Sequence, residues 1–234
     1  MISILLPLYN GIEYLNDSLS SIKSQTYNKW ELIIGINGHY NNKDFYNNVK
    51  HLVDKIFDKN DEVKILDLNL FNKIDTLNYL TKIAKYNYIS LIDADDIWSE
   101  NKLELQIPYL DNYDIVGTHC YYINKDGYRL SFFPSLPSGD LKNHNFFDGN
   151  PIINSSVILK KTDAYWQLDN INLNGVEDYD LWFKLKFQKK KFYNIDKKIC
   201  FHRLHDKSSF NNKNNNYVDI LKSKWQNIFN LVDY

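Results

Sequence analysis

Three carboxylates fall within four positions at Asp93-Ala94-Asp95-Asp96, directly behind the apolar run Tyr88-Ile89-Ser90-Leu91-Ile92. Like charges at the mouth of a buried strand repel one another and lose hydration, so they need a cation or several hydrogen-bond donors. In extended backbone Asp93 and Asp95 share one face, and Asp96 takes the other. Oxygen ligands at that spacing suit a hard divalent cation, Mg²⁺ or Mn²⁺, that keeps positions open for phosphate oxygens. The plain alternative is a solvated acidic turn ahead of the next helix. A second acidic group, Glu177-Asp178-Tyr179-Asp180, opens a segment with helical features, where carboxylates complement the helix dipole. A polar group, His202-Arg203-Leu204-His205 with Ser208 and Ser209, follows a late apolar run.

The elements that would position these groups can be read from periodicity. Ile2 to Asn10 is a strand broken at Pro7 and ended by the Asn10-Gly11 turn. Ile12, Leu15, Leu19 and Ile22 then repeat at helical spacing. Trp30 to Ile36 is a second buried strand stopped by Asn37-Gly38, and Phe45, Val49, Leu52, Val53 and Ile56 mark a second helix. A strand at Val63 to Leu68 and a helix with Asp75 as its expected N-cap lead to the Asp-rich strand. Four alternations of strand and helix predict a mostly parallel sheet covered on both faces, with ligands beyond the carboxyl ends of its strands. Asn10, Asn37 and Asp93 to Asp96 all lie on that rim. No Gly-rich phosphate loop follows the first strand, so a cation on acidic residues is the expected phosphate binder.

Beyond Asp96 the pattern changes. Ser99 is the expected cap of a short helix that Pro108 ends. Asp114 to Ile123 and Tyr128 to Phe133 read as a hairpin about Asn124-Lys125-Asp126-Gly127, and Pro134 to Pro151 as a loop. Asn154 to Leu159 and Lys197 to Phe201 read as strands. An Asn-rich linker, Asn211 to Asn216, leads to a last helix with an apolar face of Ile220, Leu221, Trp225, Ile228 and Phe229. Such a helix docks on its own domain, pairs with a second copy, or lies on a membrane surface.

Composition limits the function classes. With 234 residues, 44% hydrophobic and 24% charged, the chain suits one globular domain with a tail. A net charge of −1, from 28 basic and 29 acidic residues, argues against a nucleic-acid partner. Two cysteines make no disulfide framework and suit a reducing compartment. The apolar opening, Ile2 to Leu8, is too short to span a membrane and lacks a signal peptide's basic flank, so a cytoplasmic location is expected.

Taken in order, the segments resemble the inverting glycosyltransferases of family 2, which have the glycosyltransferase A (GT-A) fold. The resemblance rests on Ile4 to Asn10, on Gln25-Thr26-Tyr27 with Trp30 to Ile34, and on Leu91 to Trp98, which is similar to the family's DXD region. Glu177 to Trp182 resembles its Glu-Asp segment, and Arg203-Leu204-His205 with Ser208-Ser209 its late basic motif. The resemblance implies a GT-A domain over residues 1–209, with a nucleotide-sugar-binding half (1–98) and an acceptor-binding half (99–209), followed by a linker and helix (210–234). It implies transfer of a hexosyl or N-acetylhexosaminyl group from a nucleotide-diphosphate sugar to a hydroxyl of a glycan, lipid-linked or protein acceptor, with inversion, in surface polysaccharide or glycoconjugate synthesis.

The resemblance also carries site expectations. Asp95, supported by Asp93, would hold Mn²⁺ or Mg²⁺; alternatively Asp93 faces the donor's ribose. His205 either completes the metal shell or donates to the diphosphate, and Arg203 neutralises it. Asp178 takes the role of the base, with Glu177 raising its pKa or orienting the acceptor; Asp180 reads as a structural helix acid and Trp182 as core. Pro7, Tyr9, Asn10, Ala94, Lys73, Asn78 and Ser208 fall to donor binding. One departure stands out: where the family carries an acidic pair after the second strand, this chain has Ile36-Asn37. Asn37 can both donate to and accept from a uracil edge, which favours UDP-sugars. The usual Gly and Ala residues around Lys73 and Asn78 are also missing. Two rival readings are a nucleotidyltransferase, which should carry an early basic Gly-rich loop, and a non-catalytic nucleotide-sugar or glycan binder of the same fold. Such a binder has no use for Asp178.

Overall fold

The computed structural model describes residues 1–131, 133, 135–167, 175–206, 208 and 216–232. Its first half follows the predicted alternation: β1 (Ile2–Leu8), α1 (Leu15–Lys23), β2 (Trp30–Asn37), α2 (Lys43–Ile56), β3 (Val63–Leu68), α3 (Lys73–Ile83) and β4 (Tyr88–Leu91). These four strands are parallel in the order β3-β2-β1-β4, with Leu5 of β1 opposite Ile33 of β2 and Leu91 of β4. Every residue of β1 and β2 is buried, as a sheet covered on both faces requires. Alternate side chains divide between two cores. Leu5 and Ile33 meet Leu77 and Leu80 of α3, while Leu6 and Ile34 meet Leu15 and Leu19 of α1 and Val49 of α2.

The second half extends the same sheet. It comprises β5 (Ile97–Trp98), α4 (Lys102–Gln106), β6 (Ile115–Asn124), β7 (Gly139–Asp140), β8 (Ile158–Lys160), α5 (Glu177–Phe187), β9 (Phe192–Leu204) and α6 (Tyr217–Val232). Antiparallel β8 lies between β4 and β6, and β6 pairs in parallel with β9. The mostly parallel central sheet expected from the sequence is observed, with antiparallel β8 set within it and β5 and β7 antiparallel to β9. Among the described residues no helix is long and apolar enough to cross a membrane.

Several local expectations change. The N-cap of α3 is Asn72, not Asp75: Asn72 Oδ1 accepts from Asp75 N–H at 2.7 Å, and Asn72 Nδ2 donates back to Asp75 Oδ2 at 2.7 Å. A reciprocal box of this kind satisfies the cap with both side chains. Ser99 gives its carbonyl, not its hydroxyl, to Lys102 N–H, and Asn101 stands at the N-cap of α4 without a side-chain bond. The turn after Asn124 forms, with Gly127 at φ +87°, yet the second hairpin strand reduces to a single Ile123–Arg129 bridge. Phe132 and Pro134 lie outside the described residues. The loop that follows holds β7 and a 3₁₀ turn at Phe146–Asp148. Asn154–Ser156 is also a 3₁₀ turn, closed by Ser156 Oγ on the Ile153 carbonyl, so β8 starts only at Ile158.

The last helix docks. Leu221 and Trp225 are buried, and the Trp225 ring stacks on Phe183 of α5 at 5.9 Å. Asp180 accepts from Trp225 Nε1 at 2.7 Å and from Lys224 Nζ at 2.9 Å. The apolar face weighed for a membrane or a second copy is therefore spent on α5. Of the linker, Asn211 to Asn215 lie outside the described residues.

Candidate active site

The acidic turn sits where β4 ends. Because the strand stops at Leu91 and Asp96 N–H turns back to the Asp93 carbonyl (3.1 Å), the two-residue alternation no longer applies, and the three carboxylates separate. Asp96 is fully buried and accepts from Arg203 N–H (2.9 Å) and His202 Nδ1 (3.1 Å). Burial works against charge on His202, but Asp96, with Asp95 and Asp93 behind it, lifts its pKa to about 9. Asp95 points Oδ2 at His205 Nε2, 2.9 Å away. Burial raises the Asp95 pKa; the His205 bond opposes that rise, and neighbouring Asp96 and Asp93 add to it. Asp93 faces elsewhere: Oδ1 meets Lys73 Nζ at 2.8 Å, Oδ2 accepts from Asn154 Nδ2 at 3.2 Å, and its N–H donates to Ser155 Oγ at 2.9 Å.

Lys73 joins this turn to the second acidic group. Its Nζ lies 2.8 Å from Asp93 and 3.1 Å from Glu177 Oε1, and Glu177 Oε2 accepts from Gly175 N–H at 2.7 Å. Burial alone would lower the Lys73 pKa, but Asp93 and Glu177 hold it well above the ordinary range. Asp178, next along α5, accepts from Tyr179 N–H on Oδ1 (2.7 Å) and from Asn150 Nδ2 on Oδ2 (2.9 Å). Burial and the Glu177 charge push its pKa up to about 6, against the pull of Asn150 and Lys73. A carboxyl raised that far is still mostly ionised at neutral pH and takes up a proton more readily than an ordinary carboxylate. Asp180, turned to α6, and Trp182, fully buried with Nε1 on the Ile152 carbonyl, have structural roles.

The expected donor residues divide. Pro7 lies within β1 opposite Gly35 of β2; Tyr9 and Asn10 stand exposed beyond the strand, the Tyr9 carbonyl 2.6 Å from His39 Nε2. Gly38, at φ +76°, lets the Tyr9 ring lie against the β2 turn: a Cβ there would come within 2.2 Å of it. Asn37 is buried, yet its side chain makes no hydrogen bond among the described residues. Ala94 is buried beside Gly11. Ser208 accepts the His205 N–H at 3.0 Å and braces that loop, while Ser209 lies outside the described residues.

Two of the residues expected at the donor make bonds within the protein. Arg203 is buried beneath the acidic turn, with Nε on the Asp95 carbonyl, Nη1 on the Lys125 carbonyl and Nη2 on Asp17 Oδ2. It shapes the Asp95 turn. Asn78 is consumed by the Trp166 backbone, donating to its carbonyl (2.8 Å) and accepting its N–H (3.0 Å). Sequence reasoning missed Asn150, Asn154, Ser155, His202 and Tyr14, whose ring lies 4.9 Å from the His205 ring. The signal available was weak: Asn150-Pro151 and Asn154-Ser155 are polar residues in a segment read as loop and strand.

The residues present fit a divalent cation in part. Asp95 and His205 offer an oxygen and a nitrogen 2.9 Å apart, a donor pair Mn²⁺ or Mg²⁺ accepts, with the Asp96 and Asp93 carboxylates nearby. No cluster of three or more His, Cys, Asp or Glu ligands forms among the described residues, so a cation would draw further ligands from phosphate oxygens and water. Asp93 does not join the pair, because Lys73 and Asn154 occupy its oxygens.

Known proteins resemble this chain in sequence and in fold. The chain is 28% identical to the O-antigen biosynthesis glycosyltransferase WbnJ of Escherichia coli, over 89% of this chain and 82% of that one. It is 26% identical to an uncharacterised glycosyltransferase of Rickettsia typhi over 90% of its own length, spanning about two thirds (66%) of that relative. Among solved structures, Staphylococcus aureus TarS 1-349 in complex with UDP-GlcNAc superposes with a TM-score of 0.67 at 16% identity, over 90% of this chain and 60% of TarS. Mannosyltransferase PcManGT from Pyrobaculum calidifontis, in complex with GDP-Man and Mn²⁺, gives 0.65 at 12% identity, over 88% and 57%. The model of glycosyl transferase family 2 matches residues 3–169, well over half of the sequence. This chain belongs to glycosyl transferase family 2.

Proposed function

We propose that the protein transfers a hexosyl or N-acetylhexosaminyl group from a UDP-sugar to a hydroxyl of a glycan or lipid-linked acceptor, with inversion, in surface glycan synthesis on the cytoplasmic side. The observation that carries this reading is the Asp93–Lys73–Glu177 ion chain, which brings the acidic turn next to the start of α5, where Asp178 lies. On this reading two opposed functions, stabilising a leaving diphosphate and removing a proton, would act on opposite sides of a single reacting carbon. WbnJ is named for O-antigen biosynthesis and TarS was solved with UDP-GlcNAc, which supports the class of product and donor. On this reading residues 1–98 form the donor half and 99–209 the acceptor half.

In the reaction the acceptor oxygen attacks the anomeric carbon from the face opposite the diphosphate. A carbon–oxygen bond forms as the bond to the diphosphate breaks, and the acceptor's proton passes to a carboxylate oxygen of Asp178. A positioned base of this kind contributes on the order of 10²–10⁴-fold. Asp95 and His205 would hold Mn²⁺ or Mg²⁺, which supplies positive charge to the departing diphosphate. Tyr9 and Asn37 line the nucleoside end, where the Asn37 amide is free to donate to and accept from a uracil edge. Lys73 keeps Asp93 and Glu177 apart as charged neighbours and leaves Asp178 to collect the proton.

Competition among UDP, GDP, CDP and dTDP, followed by transfer from a panel of UDP-sugars with Mn²⁺, tests the proposal. UDP should bind tightest. A preference for GDP would overturn the donor choice, and a panel with neither transfer nor donor hydrolysis would overturn the activity.

A further inference from the structure

The segment before β8 is tied to one face of α5 at two points. Asn150 Nδ2 donates to Asp178 Oδ2 at 2.9 Å, and one helical turn later Trp182 Nε1 donates to the Ile152 carbonyl at 3.3 Å. Residues four apart lie above one another on a helix, so the two bonds hold the segment in register with α5. Asn150 is itself oriented. Its Oδ1 accepts the N–H of Ile152 at 3.3 Å, the first backbone donor after Asn150 because Pro151 has none. A backbone N–H only donates, so the oxygen of the amide must face it. The other end, Nδ2, is thereby committed to Asp178.

We propose that Asn150 is a positioning residue for the proton-accepting carboxylate, fixing which Asp178 lone pairs face the acceptor and setting the pH range in which they work. The inference rests on the reading of Asp178 as the base. Two donors anchor the carboxylate from different directions, Tyr179 N–H on Oδ1 and Asn150 Nδ2 on Oδ2. With each oxygen held by one bond, rotation of the carboxyl plane is restrained, and one lone pair on each oxygen is left for an acceptor proton. A hydrogen bond to the ionised form also favours ionisation. Here it opposes burial and the charge of Glu177, acting with Lys73 of α3. The other titratable groups nearby are Tyr179 on α5, Asp148 on the turn before Asn150, and Asp93 on the far side of Lys73.

The test is the pH profile of sugar transfer for Asn150→Ala and Asn150→Asp. Asn150→Asp retains an acceptor for Ile152 N–H, so the local turn survives, but it sets a carboxylate where a donor stood. The acid limb of kcat should move up by about one pH unit in Asn150→Ala and further in Asn150→Asp. KM for the donor should stay within twofold, and part of the lost rate should return at high pH. Wild-type acid limbs in both variants would overturn the role of Asn150. Failure of the underlying reading is separable: it appears as retained transfer in Asp178→Asn, whatever the Asn150 variants do.

Discussion

Replacing Asp178 by Asn separates catalysis from stability, because the structure predicts opposite signs for the two. Its carboxyl is raised from 3.8 to about 6 in the folded state, chiefly by burial and then by Glu177. A raised acid pKa means that ionised Asp178 opposes folding. The penalty is absent below about pH 4, grows as pH rises through the folded value, and is complete above it. Two units correspond to roughly 3 kcal/mol. The amide of Asn is neutral and escapes this cost, but it has one oxygen for the two donors, Asn150 Nδ2 and Tyr179 N–H, that Asp178 satisfies. Leaving one of them unpaired costs about 1–3 kcal/mol. At pH 7.5 the variant should therefore be as stable as the parent or up to about 2 kcal/mol more stable, an advantage that fades as pH falls towards 4. Transfer, by contrast, should fall by roughly 10²-fold or more, since Asn cannot take the proton. Nucleotide affinity should not change. Denaturant unfolding at several pH values, calorimetry with UDP and initial rates of transfer read the three quantities. A variant that loses stability at pH 7.5 but keeps most of its transfer rate would refute the reasoning and return the base to Glu177.

Asp95→Ala should abolish metal-dependent tightening of UDP binding; equal affinity with and without a chelator in the parent protein would remove the cation from the site. Trp225→Phe keeps the ring against Phe183 but withdraws a donor from the buried Asp180 carboxylate, and should cost about 2 kcal/mol in denaturant unfolding. A loss below about 0.5 kcal/mol would show that Lys224 alone suffices.

The parallel half of the fold was legible because a fully buried parallel sheet writes itself as continuous apolar runs separated by helical spacing, as in Ile2–Leu8 and Trp30–Asn37. Asp93, Asp95 and Asp96 stood out as candidates because charge clustered at a strand end needs compensation, whereas Asp178 and His205 were picked out by the family resemblance. What the sequence did not show has a common origin. The partners of Arg203 and Asn78 lie far away in sequence, Asp17 and Lys125 for one and Trp166 for the other, so the way each side chain turns could not be read from its own segment. Asp93 was expected to share a face with Asp95, and the early end of β4 at Leu91 removed the alternation on which that depended. Asn150 was invisible for the converse reason. A single neutral amide in a Pro-containing loop carries no charge pattern, and its importance arises only from its place beside α5. Neither β7 nor the short 3₁₀ turns had enough residues to produce a period.

The docking of α6 has a consequence for how the molecule matures. Asp180 is buried two residues from Asp178 on the same helix, and Lys224 and Trp225 of α6 are its donors. During synthesis α5 leaves the ribosome well before α6 does, so in that interval the carboxylate lacks the partners that make its burial tolerable. A buried carboxylate without donors is costly, so a chain that lacks α6 should leave Asp180, and with it the first turn of α5 that carries Glu177 and Asp178, open to water.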